Sequence, residues 1–244
     1  MISTSMGRTA VSVSPKSAES VDKLTLIRNH PLFRHLTSAT LEQLAARMTK
    51  KEVRRGAIIF AKGDAGVGLI GVMRGSVKIS VLSADGREAV LNVINAGEIF
   101  GEMALLDGRP RSADATAMSD CELVSMDRGT FTSTLRGQPD VLFKVIEFLC
   151  ARLRRTSEQV QDVMFLHAPA RLAKALLRLA DKQERKAKIT QRDISQIIGL
   201  SREMTNRQLR IWERANWVKL ERGGVVLVQP RQLEKVAAEA GEGD

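Results

Sequence analysis

Half of the glycines in this 244-residue chain, nine of 18, lie between Gly63 and Gly108, under a fifth of its length. Glycine enters turns with positive φ without steric cost. Here it punctuates short apolar runs: Ala57–Phe60, Leu69–Met73, Val77–Leu82 and Ala89–Ile94. Runs of this length, recurring about every ten residues between turn signals, predict many short strands rather than helices. Ser83-Ala84-Asp85-Gly86, set between two such runs, reads as a hairpin turn. The stretch from Val53 to Asp127 is therefore expected to form a β-sandwich or barrel, with a jelly roll among the options.

The flanks obey a different period. From Val21 to about Thr49 the pattern is helical: Leu24 and Ile27 share one face, His30-Pro31 interrupts, and Leu41, Leu44 and Met48 line a second helix. Leu32, Phe33 and Leu36 form an apolar cluster between them, and both helices are expected to pack on the β region. Pro139, tolerated in a first helical turn, opens a run that continues to Leu166. Within it Leu142, Ile146, Leu149, Leu153, Thr156, Val160 and Val163 recur at alternating steps of four and three. That heptad seam predicts a stripe facing a partner helix, although a helix lying on its own domain has a similar pattern. Thr156 is its one hydroxyl: it either bonds the preceding helical turn or meets something polar from outside.

Beyond Pro169, Leu172, Ala175, Leu176 and Leu179 mark a helix. Thr190 with Asp193 resembles a capping box, a short helix runs to Ile198, Gly199 turns the chain, and Ser201 caps a helix from Arg202 to about Ala215. Val218–Leu220 and Val225–Val228 flank Glu221-Arg222-Gly223-Gly224 as a tight hairpin, completing a winged helix-turn-helix. The expected class is α+β: a flexible tail over 1–20, a β jelly-roll domain over 21–138, a long dimerisation helix over 139–168, the winged helix-turn-helix over 169–235 and a tail over 236–244.

Charge follows the same division. Residues 168–235 hold 16 Lys and Arg against 7 Asp and Glu, while the preceding 167 residues hold 22 against 18. A basic C-terminal third on a nearly neutral body is the footprint of a nucleic-acid binder. Two cysteines, Cys121 and Cys150, and three histidines are too few for a disulfide framework or a metal site, so no metal is expected. No nucleophile, base and acid converge, which argues against an enzyme. No apolar run approaches the roughly 18 residues that span a bilayer, and residues 1–20 lack the apolar core of a signal peptide; a cytoplasmic protein without a membrane partner is expected.

Two segments carry chemistry. In Phe100–Ala113, FGEMALLDGRPRSA, Gly101 allows close backbone approach, Glu102 offers acceptor oxygens suited to a sugar hydroxyl, and Arg111 offers a fork of donors suited to a phosphate, with the Ser112 hydroxyl beside it. The competing account is a surface salt bridge between Glu102 and Arg111. In Ile189–Arg207, ITQRDISQIIGLSREMTNR, roughly 100° per residue puts Arg202, Asn206, Glu203 and Arg207 at about 0°, 40°, 100° and 140°, one polar face. Met204, Ile211 and Trp212 are expected on the other, toward the core. Arginine pairs with guanine and glutamate accepts from cytosine; an exposed helix with a Glu203–Arg207 ion pair is the plainer account.

FGEMALLDGRPRSA resembles the phosphate-binding cassette of cyclic-nucleotide-binding domains, and the helix-turn-helix segment is similar to that of the bacterial cyclic-AMP receptor (Crp-Fnr) family; the likeness covers residues 24–230. It implies that Glu102 binds the ribose 2′-OH and that Arg111 neutralises the cyclic phosphate, helped by Ser112 and the Gly101 and Glu102 backbone. Met103, Ala104, Ala113 and Arg152 join the same ligand site. Thr156 would meet the adenine in its own subunit and Ser157 the adenine across the dimer. The cyclic-AMP effector, with cyclic GMP as an alternative, would thus bridge β domain and helix. The family's usual pocket aromatic is missing and the chain has no tyrosine; Leu91, Ile94 and Leu153 are expected as the wall, with Asn92 bearing on base preference. The resemblance further implies a homodimer on double-stranded DNA, contacting a palindromic TGTGA-like site through Thr190, Gln191, Ser201, Arg202, Glu203, Asn206 and Arg207, and working with RNA polymerase. A different effector, or constitutive DNA binding, is the alternative; a haem or iron–sulfur sensor would be coloured, and the cysteines do not cluster.

Overall fold

The computed structural model describes residues 20–135, 139–181 and 184–238. The chain opens with α1 (Lys23–Asn29), capped by the Asp22 carboxylate, and α2 (Ser38–Arg47), capped by Thr37. Eight strands follow: β1 (Thr49–Val53), β2 (Ile58–Phe60), β3 (Gly68–Arg74), β4 (Ser76–Leu82), β5 (Glu88–Asn95), β6 (Ile99–Phe100), β7 (Asp114–Ala117) and β8 (Cys121–Asp127), with α3 (Glu102–Asp107) between β6 and β7. They form two antiparallel four-stranded sheets, ordered β1-β8-β3-β6 and β2-β7-β4-β5. The expected hairpin is β4–β5, in register from Ser76↔Asn95 to Leu82↔Glu88 with a bulge between Ile79 and Ser80.

Two cores result. Between the sheets lie Val72, Val77, Ile79, Ile94, Phe100, Ala115 and Leu123. On the other side of the β1-β8-β3-β6 sheet, Leu26, Ile27, Leu32, Phe33, Leu41, Leu44 and Met48 pack as expected against Leu69, Val124 and Met126. This second core is closed by α4 (Arg128–Leu135), whose Phe131 meets Phe33 edge-on, and by α5 (Pro139–Phe165) through Val145 and Phe148.

His30, the C-cap of α1, sits in this core 5.2 Å from the Phe148 ring and 5.8 Å from Phe33, and its Nδ1 accepts the Leu32 N–H. Burial pushes its pKa down to about 4. A depressed histidine gives stability that is complete above its unfolded value, near 6.5, and is lost as pH falls through the folded value. We expect the unfolding free energy in urea to drop by about 3 kcal/mol more between pH 7 and pH 4 in the wild type than in His30→Gln. Equal drops would show that His30 is already charged in the folded state.

The long helix settles the seam question for one copy. It docks through Val145, Phe148 and the Arg152 side chain, whereas Leu142, Ile146, Leu149, Leu153, Val160 and Val163 all remain exposed, from 37% to 67%. The seam therefore does not lie on its own domain.

The C-terminal part comprises α6 (Ala168–Leu179), β9 (Lys186–Ala187), α7 (Gln191–Ile198), α8 (Arg202–Arg214), β10 (Val218–Glu221), β11 (Gly224–Leu227) and α9 (Pro230–Ala238). Leu172, Leu176, Ile194, Ile198, Leu209, Trp212, Val218, Val225 and Leu233 make its core, and β10-β11-β9 form the wing sheet. Helix α9 continues three residues into the segment read as a tail, with Val236 and Ala237 packed on that core. The N-terminal tail, residues 1–19, and residues 239–244 lie outside the described residues.

Candidate nucleotide and DNA interfaces

The first site forms where β6 passes into α3. Gly101 turns the chain in the left-handed region, φ +81°, and a Cβ there would lie 2.5 Å from Arg111 Nη1. This close approach requires glycine. Glu102, the first residue of α3, is buried at 1% exposure. Its Oε1 pairs with Arg152 of α5, and its Oε2 is buried without a hydrogen-bond partner. Arg111 is 6% exposed: Nη1 donates to Gly101 O at 2.8 Å, Nη2 donates to Gly68 O at 2.7 Å, and the guanidinium lies 4.3 Å over the Phe60 ring. Its Nε is buried and unpartnered. Burial pulls its pKa below the usual arginine value, while the charges of Glu102 and Asp64 oppose that shift. Arginine nonetheless stays charged at neutral pH.

The surface Glu102–Arg111 bridge is thus not what forms. Glu102 pairs across 50 positions with Arg152, and both acid and arginine face one small cavity, about 40 Å³, lined also by Ile79, Phe100, Met103, Ala104, Ser112 and Ala113. That space is about the size of one or two waters, so a larger ligand requires Arg152 to withdraw. Ser112 Oγ donates to Met103 Sδ at 3.9 Å.

The three residues expected as the wall stand in different surroundings. Ile94 points into the core between the sheets, and Leu91 and Leu153 are exposed away from this cavity. Phe60 and Ile79 line the cavity, Phe60 coming from β2, 51 positions before Arg111. A lone Phe in a short strand carries no signal of this role. Thr156 Oγ1 donates to Arg152 O at 3.1 Å, the plainer of its two readings, and Ser157 is exposed. Asn92 Oδ1 receives Arg155 Nη2 at 3.4 Å, tying β5 to the long helix.

The second site is α7, its turn and α8. Thr190 Oγ1 accepts the Asp193 N–H at 3.1 Å, Gly199 takes φ +66°, and Ser201 Oγ accepts the Met204 N–H at 3.1 Å. These local caps fix both helices from sequence alone. Gln191, Arg202, Glu203, Asn206 and Arg207 line one polar surface, together with Arg210, which the sequence reading missed. Among the described residues the ion pair on this helix joins Arg210 to Glu213 at 2.7 Å, not Glu203 to Arg207. Trp212 is buried as expected, but Met204 and Ile211 do not face the core: they are 52% and 48% exposed, and Thr205 and Leu209 are buried beside Trp212 instead. The buried arc centres near 310° from Arg202, so Met204 and Ile211, near 200° and 180°, flank the polar face at roughly 100° per residue.

The two parts touch directly. Gln196 Nε2 on α7 donates to Glu88 Oε2 on β5 at 3.0 Å, and Glu88 pairs with Lys78 at 2.6 Å. Burial raises the Glu88 pKa, but bonds from Lys78, Ser80 and Gln196 outweigh it and hold the carboxyl below its usual range.

Residues 50–138 match the cyclic nucleotide-binding domain family, and residues 170–236 match the Crp-like helix-turn-helix domain. The chain is 32% identical over 214 residues to the CRP-like cAMP-activated global transcriptional regulator of Mycobacterium tuberculosis, covering 84% of this chain and 96% of that one. This chain belongs to the Crp family of transcription regulators. The regulator is also 29% identical over 203 residues to the cAMP-activated global transcriptional regulator CRP of Salmonella typhimurium, covering 80% of this chain and 97% of the relative. Its fold superposes on FixK2 from Bradyrhizobium japonicum with a TM-score of 0.70 at 21% identity, over 78% of this chain and 96% of that one. These relatives are regulators, not enzymes, and no helix among the described residues of the regulator is long and apolar enough to cross a membrane.

Proposed function

We propose that the regulator is a homodimer whose affinity for a palindromic, TGTGA-like DNA site is set by cyclic AMP held between Glu102 and Arg111. One observation carries this reading: a buried acceptor, Glu102 Oε2, and a buried donor, Arg111 Nε, both lack partners at one cavity. Buried polar groups are seldom left so. A ribose hydroxyl satisfies the first and a cyclic phosphate adds charge-assisted bonds to the second. The relative activated by cAMP at 32% identity favours that nucleotide over cyclic GMP.

Entry of the ribose displaces Arg152 from Glu102, and Arg152 belongs to α5. Ligand occupancy thereby acts on the helix whose exposed seam joins two copies, Thr156 and Ser157 lying one turn further on. A shift between two dimer geometries follows when the ligand favours one of them. The nucleotide domain is assigned to 21–138, the dimer helix to 139–168 and the DNA domain to 169–235. In the dimer the two copies of α8 enter successive major grooves, about 34 Å apart, and bring the regulator beside RNA polymerase.

Fluorescence anisotropy of a labelled duplex with inverted TGTGA half-sites, at fixed salt, tests this with no nucleotide, cyclic AMP or cyclic GMP. Tightening by cyclic AMP is expected. The exposed α8 face, open while the nucleotide cavity is small, favours constitutive binding as the second reading, and equal affinity in all three arms would leave constitutive binding or a different effector. On the same duplex Arg207→Ala is expected to cost about 1–3 kcal/mol and to relax one base position. Equal weakening on every sequence would make Arg207 a phosphate contact.

A further inference from the structure

Helix α6 begins two residues after α5 ends, so Leu166 and His167 are the whole connection between them. Helix α5 carries the exposed seam, and α6 supplies Leu172 and Leu176 to the core of the helix-turn-helix part. His167 is the N-cap of α6, in extended backbone at φ −68° and ψ 161°. Its Nδ1 accepts the Ala170 N–H at 3.3 Å, and its carbonyl accepts the Arg171 N–H at 3.1 Å. Pro169, between them, has no N–H to offer. Ala170 is 0% exposed, so water has poor access to replace the imidazole as its partner. Among the described residues, α1, α2, α7 and α8 are capped by Asp22, Thr37, Thr190 and Ser201. Those oxygens accept at any pH near neutrality, whereas an imidazole nitrogen stops accepting once it is protonated.

Histidine is the side chain whose ordinary charge change falls between about pH 5 and 8. Protonation of His167 removes the acceptor from Ala170 and sets a positive charge on the positive end of the α6 dipole. The surroundings offer that charge little. Asp162, the nearest acid in the sequence, is taken by Lys174 at 2.6 Å, and Glu158 stands one turn further back on α5. On α6 the next charge is Arg171, whose guanidinium points to Gly199 at the end of α7. On α9, Arg231 and Glu234 lie with Leu177 and Ala180 at the opposite end of α6, and Lys235 is a cation. We propose that His167 is a positioning residue that makes the joint sensitive to protons. Neutral, it fixes the angle at which the DNA-binding part leaves the seam helix; protonated, it frees the first turn of α6. Two copies of α8 must meet grooves about 34 Å apart, so a looser joint weakens DNA binding as pH falls. The inference rests on the reading above that the seam joins two copies on DNA.

Fluorescence anisotropy of the inverted TGTGA duplex, with saturating cyclic AMP and fixed ionic strength, is followed from about pH 8 to about pH 5.5. Full-length wild type, His167→Asn and His167→Ala are compared. Asparagine caps at every pH and alanine at none, while His30 and His35 are common to all three proteins. Wild-type affinity is expected to fall about threefold or more beyond the fall in His167→Asn. His167→Ala is expected to bind more weakly already at pH 8, with a profile parallel to that of His167→Asn. Parallel profiles in wild type and His167→Asn would overturn the proposal and leave the DNA reading intact. No binding by any of the three at pH 8 would instead remove the DNA reading, and this inference with it. Circular dichroism of the same samples separates positioning from stability: a wild-type loss that follows unfolding would reduce His167 to a structural cap and overturn the proposal.

Discussion

Arg111→Ala is expected to lower cyclic-AMP affinity at least a hundredfold. The guanidinium is 6% exposed and already fixed by Gly101 O, Gly68 O and the Phe60 face, so little ordering remains to be done when phosphate arrives. Removing it leaves the phosphate charge in a poorly hydrated site with no counter-charge, a loss of about 3 kcal/mol or more, and each 1.4 kcal/mol is about tenfold. The substitution also orphans two backbone carbonyls, at about 1–3 kcal/mol each, so melting must be followed beside calorimetry. Arg111→Lys separates the effects: it keeps the charge but not the fork, and is expected to recover only part of the affinity. A folded Arg111→Ala protein with unchanged affinity would remove this residue from the site.

Leu149→Glu is expected to break the dimer and weaken binding to the palindromic duplex by a hundredfold or more. Six large aliphatic side chains of α5 stand exposed along one stripe, while Val145 and Phe148 hold the helix to its own domain. Burying such a stripe against a second copy is worth about 1.5–3 kcal/mol for each side chain taken from full exposure to full burial. A glutamate at Leu149 meets its symmetry mate or an aliphatic wall, and an unpaired buried charge costs about 3–5 kcal/mol. Because the stripe lies outside the buried cores of one copy, the variant should fold as a monomer, and its melting should lose the concentration dependence that dimerisation adds. Sedimentation equilibrium and anisotropy read the two effects. A Leu149→Glu protein that still sediments at twice the monomer mass would place the contact between copies elsewhere.

The elements that were legible are those governed by neighbours in the chain. Asp85-Gly86 closed the β4–β5 hairpin, Thr190 and Ser201 capped the helices they were expected to cap, and Gly199 took the left-handed turn. The period of the seam likewise gave α5 its bounds, Pro139–Phe165 against an expected Pro139–Leu166. Short elements fared worse. Helix α3 has six residues between two left-handed glycines, and β9 has two residues, so neither is long enough to display a period.

The sequence by itself determined the strand-rich middle, the long amphipathic helix, the basic winged helix-turn-helix and the acid and arginine that face the first cavity. Each follows from turn chemistry, periodicity or a motif within about a dozen residues. Only the tertiary structure decided what those groups meet. Glu102 found Arg152 instead of Arg111, and Phe60, far off in the chain, came to lie under the arginine. On α8 the buried arc settled on Thr205, Leu209 and Trp212, leaving Met204 and Ile211 outside. A helical wheel fixes angles between residues but not which arc is covered. That is set by where α6, α7 and the wing sheet pack, through contacts between residues far apart in the chain.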